Sequence, residues 1–173
     1  MKKQFKNKDN NYVFDLYWKW SEYNKQLKEH YSRGANLHEA ITEIICSYVN
    51  DYDWKDPNKG SADAISKNGT KIQVKATSVF DNDLTSFGPR SEFDILEFMR
   101  LDQTTDIFYF YRIPIEFLQE VYVNNEETFY EKQLTGQRPR FSIVNKLIIP
   151  HNLKPYATLN MRTGELEIYD EKK

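Results

Sequence analysis

The sequence predicts an α/β protein: a mixed central β-sheet flanked by helices. Three observations point that way. Two segments with helical apolar spacing come first, the pattern changes to two-residue alternation near Ser61, and the rest of the chain alternates short strands with turns. Residues 1–10 are polar and lysine-rich and are expected to fray. Residues 12–31 interleave Val13, Phe14, Leu16, Tyr17, Trp18, Trp20, Tyr23 and Leu27 with charges at helical spacing. Ser32, Arg33 and Gly34 break that helix, and Asn36 is the expected N-cap of a second one, whose Leu37, Ile41, Ile44, Ile45 and Tyr48 share a face. Residues 51–60, with Pro57 and Asn58, read as loop, and 61–79 as two strands joined near Asn68 and Gly69. Beyond a turn-rich stretch, 94–100 reads as a short helix, 106–113 as a strand and 114–122 as a helix opened by Pro114. Short strands follow at 140–144, 156–160 and 165–169. The first strands are expected to form a meander.

At 173 residues the chain is expected to form a single domain. A formal net charge of -2 excludes the globally basic class of nucleic-acid binder but leaves local patches open. Hydrophobic residues at 39% and aromatics at 15% are too many for a disordered chain. Cys46 is the only cysteine, which rules out an intrachain disulfide or a cysteine-based zinc cluster. With no apolar stretch of signal or membrane length, no membrane association and a cytoplasmic location are expected.

The hairpin GSADAISKNGTKIQVKATS carries the chemistry, and its register follows from burial. A two-residue turn at Asn68-Gly69 places Asp63 among Ile65, Ile72 and Val74, where an unpaired carboxylate costs several kcal/mol. A three-residue loop of Lys67, Asn68 and Gly69, with Gly69 left-handed, instead opposes Asp63 to Gln73. Ala62, Ala64, Ile72, Val74 and Ala76 then form an apolar face, and Asp63, Lys71, Gln73, Lys75 and Thr77 the other. The second register is the one expected. A carboxylate with a neighbouring oxygen ligand can hold Mg²⁺ beside a phosphate, and a nearby lysine can stabilise developing charge or assist the attacking water.

Asp63, then nine residues, then Gln73-Val74-Lys75, preceded by a glutamate-bearing helix, resembles the PD-(D/E)xK nuclease superfamily with Gln in place of the second acid. The run DLTSFGPRSEFDIL is similar to a segment of small type II restriction endonucleases. The resemblance implies a restriction-endonuclease-like core over 34–113, an N-terminal helical arm at 1–33, and DNA recognition and closing strands over 114–173. It also implies Mg²⁺-dependent cleavage of double-stranded DNA at a short, palindromic site, with Glu39, Asp63 and Gln73 around the metal and Lys75 as charge stabiliser. Glu43, one turn beyond Glu39, remains the alternative helical ligand. A junction resolvase and a catalytically silent DNA-binding module are the competing readings, the latter because a neutral amide binds Mg²⁺ more weakly than a carboxylate.

His38 is read as an ordinary polar residue and Cys46 as a core thiol. Residues 132–146 hold Lys132, Arg138, Arg140 and Lys146 with no acid. Arg138 and Arg140 are candidates for guanine readout, Gln133 and Gln137 for further base contacts, and Ser86 and Arg90 for the phosphodiester backbone. Lys2, Lys3, Lys6 and Lys8 are candidate phosphate contacts. Because one such site cuts one strand, a homodimer is expected. The rings of residues 12–31 either face a partner subunit or pack on the aromatic strand at 106–113.

Overall fold

The computed structural model describes residues 1–169. A seven-stranded mixed sheet runs through the molecule in the order β1-β9-β8-β6-β5-β3-β2. Its strands are β1 (Lys2–Gln4), β2 (Ala64–Ile65), β3 (Lys71–Thr77), β5 (Ile95–Asp102), β6 (Ile107–Pro114), β8 (Ala157–Asn160) and β9 (Glu165–Ile168). A separate two-stranded ribbon pairs β4 (Thr85–Ser86) with β7 (Arg140–Phe141). Helices α1 (Asn11–His30) and α2 (Glu39–Asn50) cover one face of the large sheet. The short helices α3 (Ile115–Gln119) and α4 (Phe129–Leu134), with the ribbon, cover the other.

Two cores follow from alternation along the central strands. On the α1/α2 side, Phe14, Tyr17, Ile45, Ile72, Val74, Met99 and Phe108 pack together. On the opposite side Leu96, Phe98 and Ile113 meet Phe87, Phe129, Phe141 and Leu147. Burying side chains this large stabilises the fold by roughly 1.5–3 kcal/mol for each.

Several sequence expectations are corrected. Residues 94–100 are not a helix but most of β5, the strand between β3 and β6. With neighbours on both edges and cores on both faces, ILEFMRL has no polar face to reveal its period. Nor do the first strands form a meander, because β3 pairs with β5 in parallel across the intervening 78–94 segment. The N-terminus is tied down as edge strand β1 on β9, where Lys2 bridges Glu165 and Glu167. Lys6 sits over the Phe14 ring. Neither lysine is therefore a free phosphate arm. The N-cap of α2 is His38, not Asn36, and its Nδ1 accepts from the Ala40 N–H. The deepest side chains of α2 are Thr42, Ile45, Cys46 and Ser47, with Ile41, Ile44 and Tyr48 only partly covered. The helix after Pro114 ends at Gln119, and only Arg140–Phe141 of the predicted 140–144 strand is extended. The chain turns into a π-helical loop at Val144–Ile148.

Candidate active site and adjoining cleft

The hairpin has the three-residue loop that burial demands. Gly69 takes φ +82°, its N–H donates to Ser66 O at 2.9 Å, and Ser66 N–H donates to Thr70 O at 3.0 Å. Ala64 therefore opposes Ile72 and Ile65 opposes Lys71, which sets Asp63 across from Gln73. One detail departs from expectation: Ala62, Ala64, Ile72 and Val74 are buried, but Ala76 is exposed. Because β2 is only two residues long, β3 runs on past it as a free edge, and the far end of the apolar stripe meets solvent.

Asp63 is held firmly at that edge. Its Oδ2 accepts from the Val74 N–H at 2.7 Å and from Gln73 Nε2. Among the described residues its other oxygen has no hydrogen-bond donor, and Lys75 forms no ion pair although its charge reaches Asp63. Desolvation raises the Asp63 carboxyl above its ordinary value, and the nearby Glu39 pushes in the same direction. The Val74 N–H, Lys75 and Gln73 pull the other way. Glu43, half-buried on α2, is raised first by desolvation, then by the charges of Asp63 and Glu39, with Lys75 and Lys59 opposing. The sequence-predicted set Glu39, Asp63, Gln73 and Lys75 is thus brought together, and Glu43 joins it.

Gln73 differs from its assigned part in one respect: its amide N–H donates to Asp63, so here it steadies the carboxylate. Among the described residues no three His, Cys, Asp or Glu side chains converge as a ready-made metal cage. The donors present are nonetheless hard oxygens, and the negative charges of Asp63 and Glu39 add to the desolvation that raises the Glu43 carboxyl, an arrangement that a divalent cation relieves. Mg²⁺ characteristically binds through one or two carboxylates and takes its remaining ligands from water and substrate phosphate, so this sparse donor set fits it.

Beside these residues opens a cleft of about 830 Å³. Glu39 and His38 at the start of α2 form one wall, Lys75 and the residues after it the floor, and Ser86 and Arg140 of the ribbon the other wall. Ser86 and Arg140 are cross-strand partners, and the exposed Arg140 side chain makes no hydrogen bond or ion pair among the described residues. Arg90, Gln137 and Arg138 are exposed but do not line this cleft. The basic run is also less available than its composition suggests. Lys132 pairs with Glu127 at 2.5 Å and donates to Gln137 Oε1 at 2.8 Å, while Lys146 donates to Tyr122 O at 2.6 Å. Gln133 donates to the carbonyl oxygens of Gly88 and Ser91, holding the 88–91 turn in place of the expected base contact.

The α1 rings divide between the two expected environments. Phe14, Tyr17 and Trp20 are buried, with Tyr17 edge-on to Phe108 at 5.8 Å, whereas Tyr12, Trp18 and Tyr23 are exposed. No helix among the described residues is long and apolar enough to cross a membrane.

Comparison with known proteins gives a concordant result. The family described as Bsp6I restriction endonuclease matches residues 5–150. The type II restriction enzyme Bsp6I from Bacillus sp. (strain RFL6) is 34% identical over 152 residues, which is 87% of each chain.

Proposed function

The chain belongs to the Bsp6I restriction endonuclease family and is a type II site-specific deoxyribonuclease, and from that premise we propose how it cuts: by Mg²⁺-dependent hydrolysis of double-stranded DNA at the edge of β3. Family membership removes the junction resolvase and the silent module as readings of the whole chain. The site is a QxK variant of the PD-(D/E)xK arrangement.

One observation carries the proposal: Asp63 is locked at the free edge of the sheet with one oxygen committed to Val74 and Gln73 and the other open, within electrostatic reach of Lys75 and Glu43. Asp63 and Glu43 would hold the metal, with Glu39 as the outer carboxylate. When bound, Mg²⁺ supplies positive charge beside the scissile phosphate and lowers the pKa of coordinated water. Gln73 keeps Asp63 in its rotamer. The Lys75 ammonium faces the negative charge that grows on the phosphate oxygens, where a preorganised charge acts mainly on the transition state. Arg140 and Ser86, on the opposite wall, contact the duplex, and Arg138, Arg90 and Gln137 contact it outside the cleft.

One such site cuts one strand, so two copies about a two-fold axis cleave a palindrome, and the outward rings Tyr12, Trp18 and Tyr23 of α1 are the surface offered for pairing. A chain of this composition works in the cytoplasm. The test is incubation with phage DNA in Mg²⁺ or in EDTA. Discrete fragments in Mg²⁺ alone are expected, and equal cleavage in EDTA would overturn the metal assignment.

A further inference from the structure

Asp83 is the most heavily used carboxylate on the cleft wall, and the chemistry of the cut gives it no work. Oδ1 accepts from Ser142 Oγ at 2.7 Å and Val144 N–H at 2.9 Å; Oδ2 accepts from Thr85 Oγ1 at 2.6 Å and Ile143 N–H at 2.9 Å. These donors lie on two segments far apart in sequence, Thr85 at the start of β4 and residues 142–144 directly after β7. Asp83 therefore ties together both strands of the ribbon: Thr85 immediately precedes Ser86 on one strand, and Ser142 lies two residues beyond Arg140 on the other.

The ribbon needs such a tie. It consists of two residue pairs, Thr85 with Phe141 and Ser86 with Arg140, and a two-stranded ribbon is marginal in water even when longer. Phe87 and Phe141 anchor its inner side in the core, but the Arg140 side chain makes no hydrogen bond or ion pair among the described residues. What fixes the origin of the Arg140 side chain relative to Lys75 across the cleft is the backbone that Asp83 holds. A side chain that reads DNA must start from a fixed point, since loose support dissipates specificity.

We propose that Asp83 is a positioning residue for DNA recognition, acting through Arg140 and Ser86. This rests on the reading that those two side chains contact DNA. It also gives a physical reason for the Asp83-Leu84-Thr85-Ser86-Phe87 run: the aspartate ties, Thr85 donates and pairs, Ser86 faces the cleft, and Phe87 anchors.

The test is a double-mutant cycle of Asp83→Asn with Arg140→Ala. The probe is a duplex carrying the site that wild-type enzyme cuts in phage DNA, bound with Ca²⁺ in place of Mg²⁺ so that it stays intact. Asp83→Asn keeps the shape but turns an NH₂ group towards donors. Arg140→Ala is expected to weaken binding by about 5–150-fold and Asp83→Asn by about tenfold, with little further loss from Asp83→Asn once Arg140 is gone. Preference for the cut site over a one-base variant should fall in both single mutants, and the thermal transition should remain above the assay temperature. If Asp83→Asn does not fold, Thr85→Val and Ser142→Ala each remove one bond and should lower that preference in the same direction. Losses that simply add, or lost stability with unchanged site preference, would overturn the proposal and leave Asp83 a purely structural group. Unchanged binding by Arg140→Ala would instead overturn the DNA-contact reading beneath it.

Discussion

Asp63 and Glu97 are two carboxylates withdrawn from water on neighbouring parts of one sheet, and they are treated in opposite ways. Glu97 opposes Arg112 across β5 and β6, and is fully buried on the α1/α2 side. Its Oε1 accepts from Arg112 Nε at 2.7 Å and Tyr52 OH at 2.8 Å, and its Oε2 from Tyr156 OH at 2.9 Å. Arg112 also donates to Asn50, which ties the end of α2 to the sheet. Burial pushes the carboxyls of both Glu97 and Asp63 upward, but every lone pair that matters on Glu97 has a protein donor, whereas Asp63 keeps an oxygen open and faces two further acids. A carboxylate whose surroundings complete it belongs to the fold. One that is left incomplete at an edge has an oxygen free to accept a ligand.

The sharpest way to break the contrast is to neutralise each carboxylate in turn. Asp63→Asn should lose cleavage by more than about a thousandfold, the scale seen when a member of a cooperating catalytic set is removed. Its stability should be unchanged or higher, because a desolvated charge disappears. Wild-type Mg²⁺ dependence in this mutant would remove Asp63 from the metal site. Glu97→Ala should do the reverse: a loss of about 1–3 kcal/mol in urea unfolding, from leaving the Tyr52 and Tyr156 hydroxyls and the Arg112 guanidinium without their shared acceptor, with near-normal cleavage for each folded molecule. A loss under about 1 kcal/mol would make the cluster dispensable.

Smaller effects sharpen the picture. The folded-state pKa of Asp63 lies above its ordinary 3.8, so its contribution to stability is present below that value and declines as pH rises through the raised one. Without metal, wild-type stability should therefore fall more steeply with pH above 3.8 than that of Asp63→Asn, and added Mg²⁺ should flatten the difference by binding the ionised form. Identical pH profiles would show that Asp63 is not desolvated in solution. Smaller again is Gln73→Glu. It exchanges the amide donor for a like charge beside Asp63, which should lower the melting temperature in EDTA and enlarge the stabilisation by Mg²⁺ relative to wild type. Gln73→Ala should show the first effect without the second.

The legible parts of this molecule are the local ones. The hairpin register and the grouping of Asp63, Gln73 and Lys75 came from alternation within twenty residues and from the cost of burying an unpaired carboxylate. What resisted reading depends on distant partners. Strand β5 has Glu97 and Arg100 inside it, whose complements, Arg112 and the Phe80 carbonyl, lie on other elements, so its polar residues imitated a helix surface. Weighing Glu39 against Glu43 needs the face of α2 that packs against β3, which local spacing does not give, and the sequence pattern places the cap of α2 at Asn36 where the structure has His38. Lys132 and Lys146 counted as free charge in the sequence but are spent on Glu127 and a carbonyl oxygen. Helix α4, by contrast, carries a local signal legible in the sequence, the Thr128/Glu131 capping box.

The claim that this edge is where DNA is cut is tested most directly by Lys75→Ala, because Lys75 lines the cleft, makes no ion pair among the described residues, and has no packing duty comparable to that of Ile72 or Val74. Single-turnover cleavage of a duplex at saturating enzyme should fall by roughly a hundred- to a thousandfold, the scale of losing one preorganised group at developing charge, while duplex binding and melting temperature stay close to wild type. Cleavage at the wild-type rate by this mutant would contradict the account and place the chemistry elsewhere on the molecule.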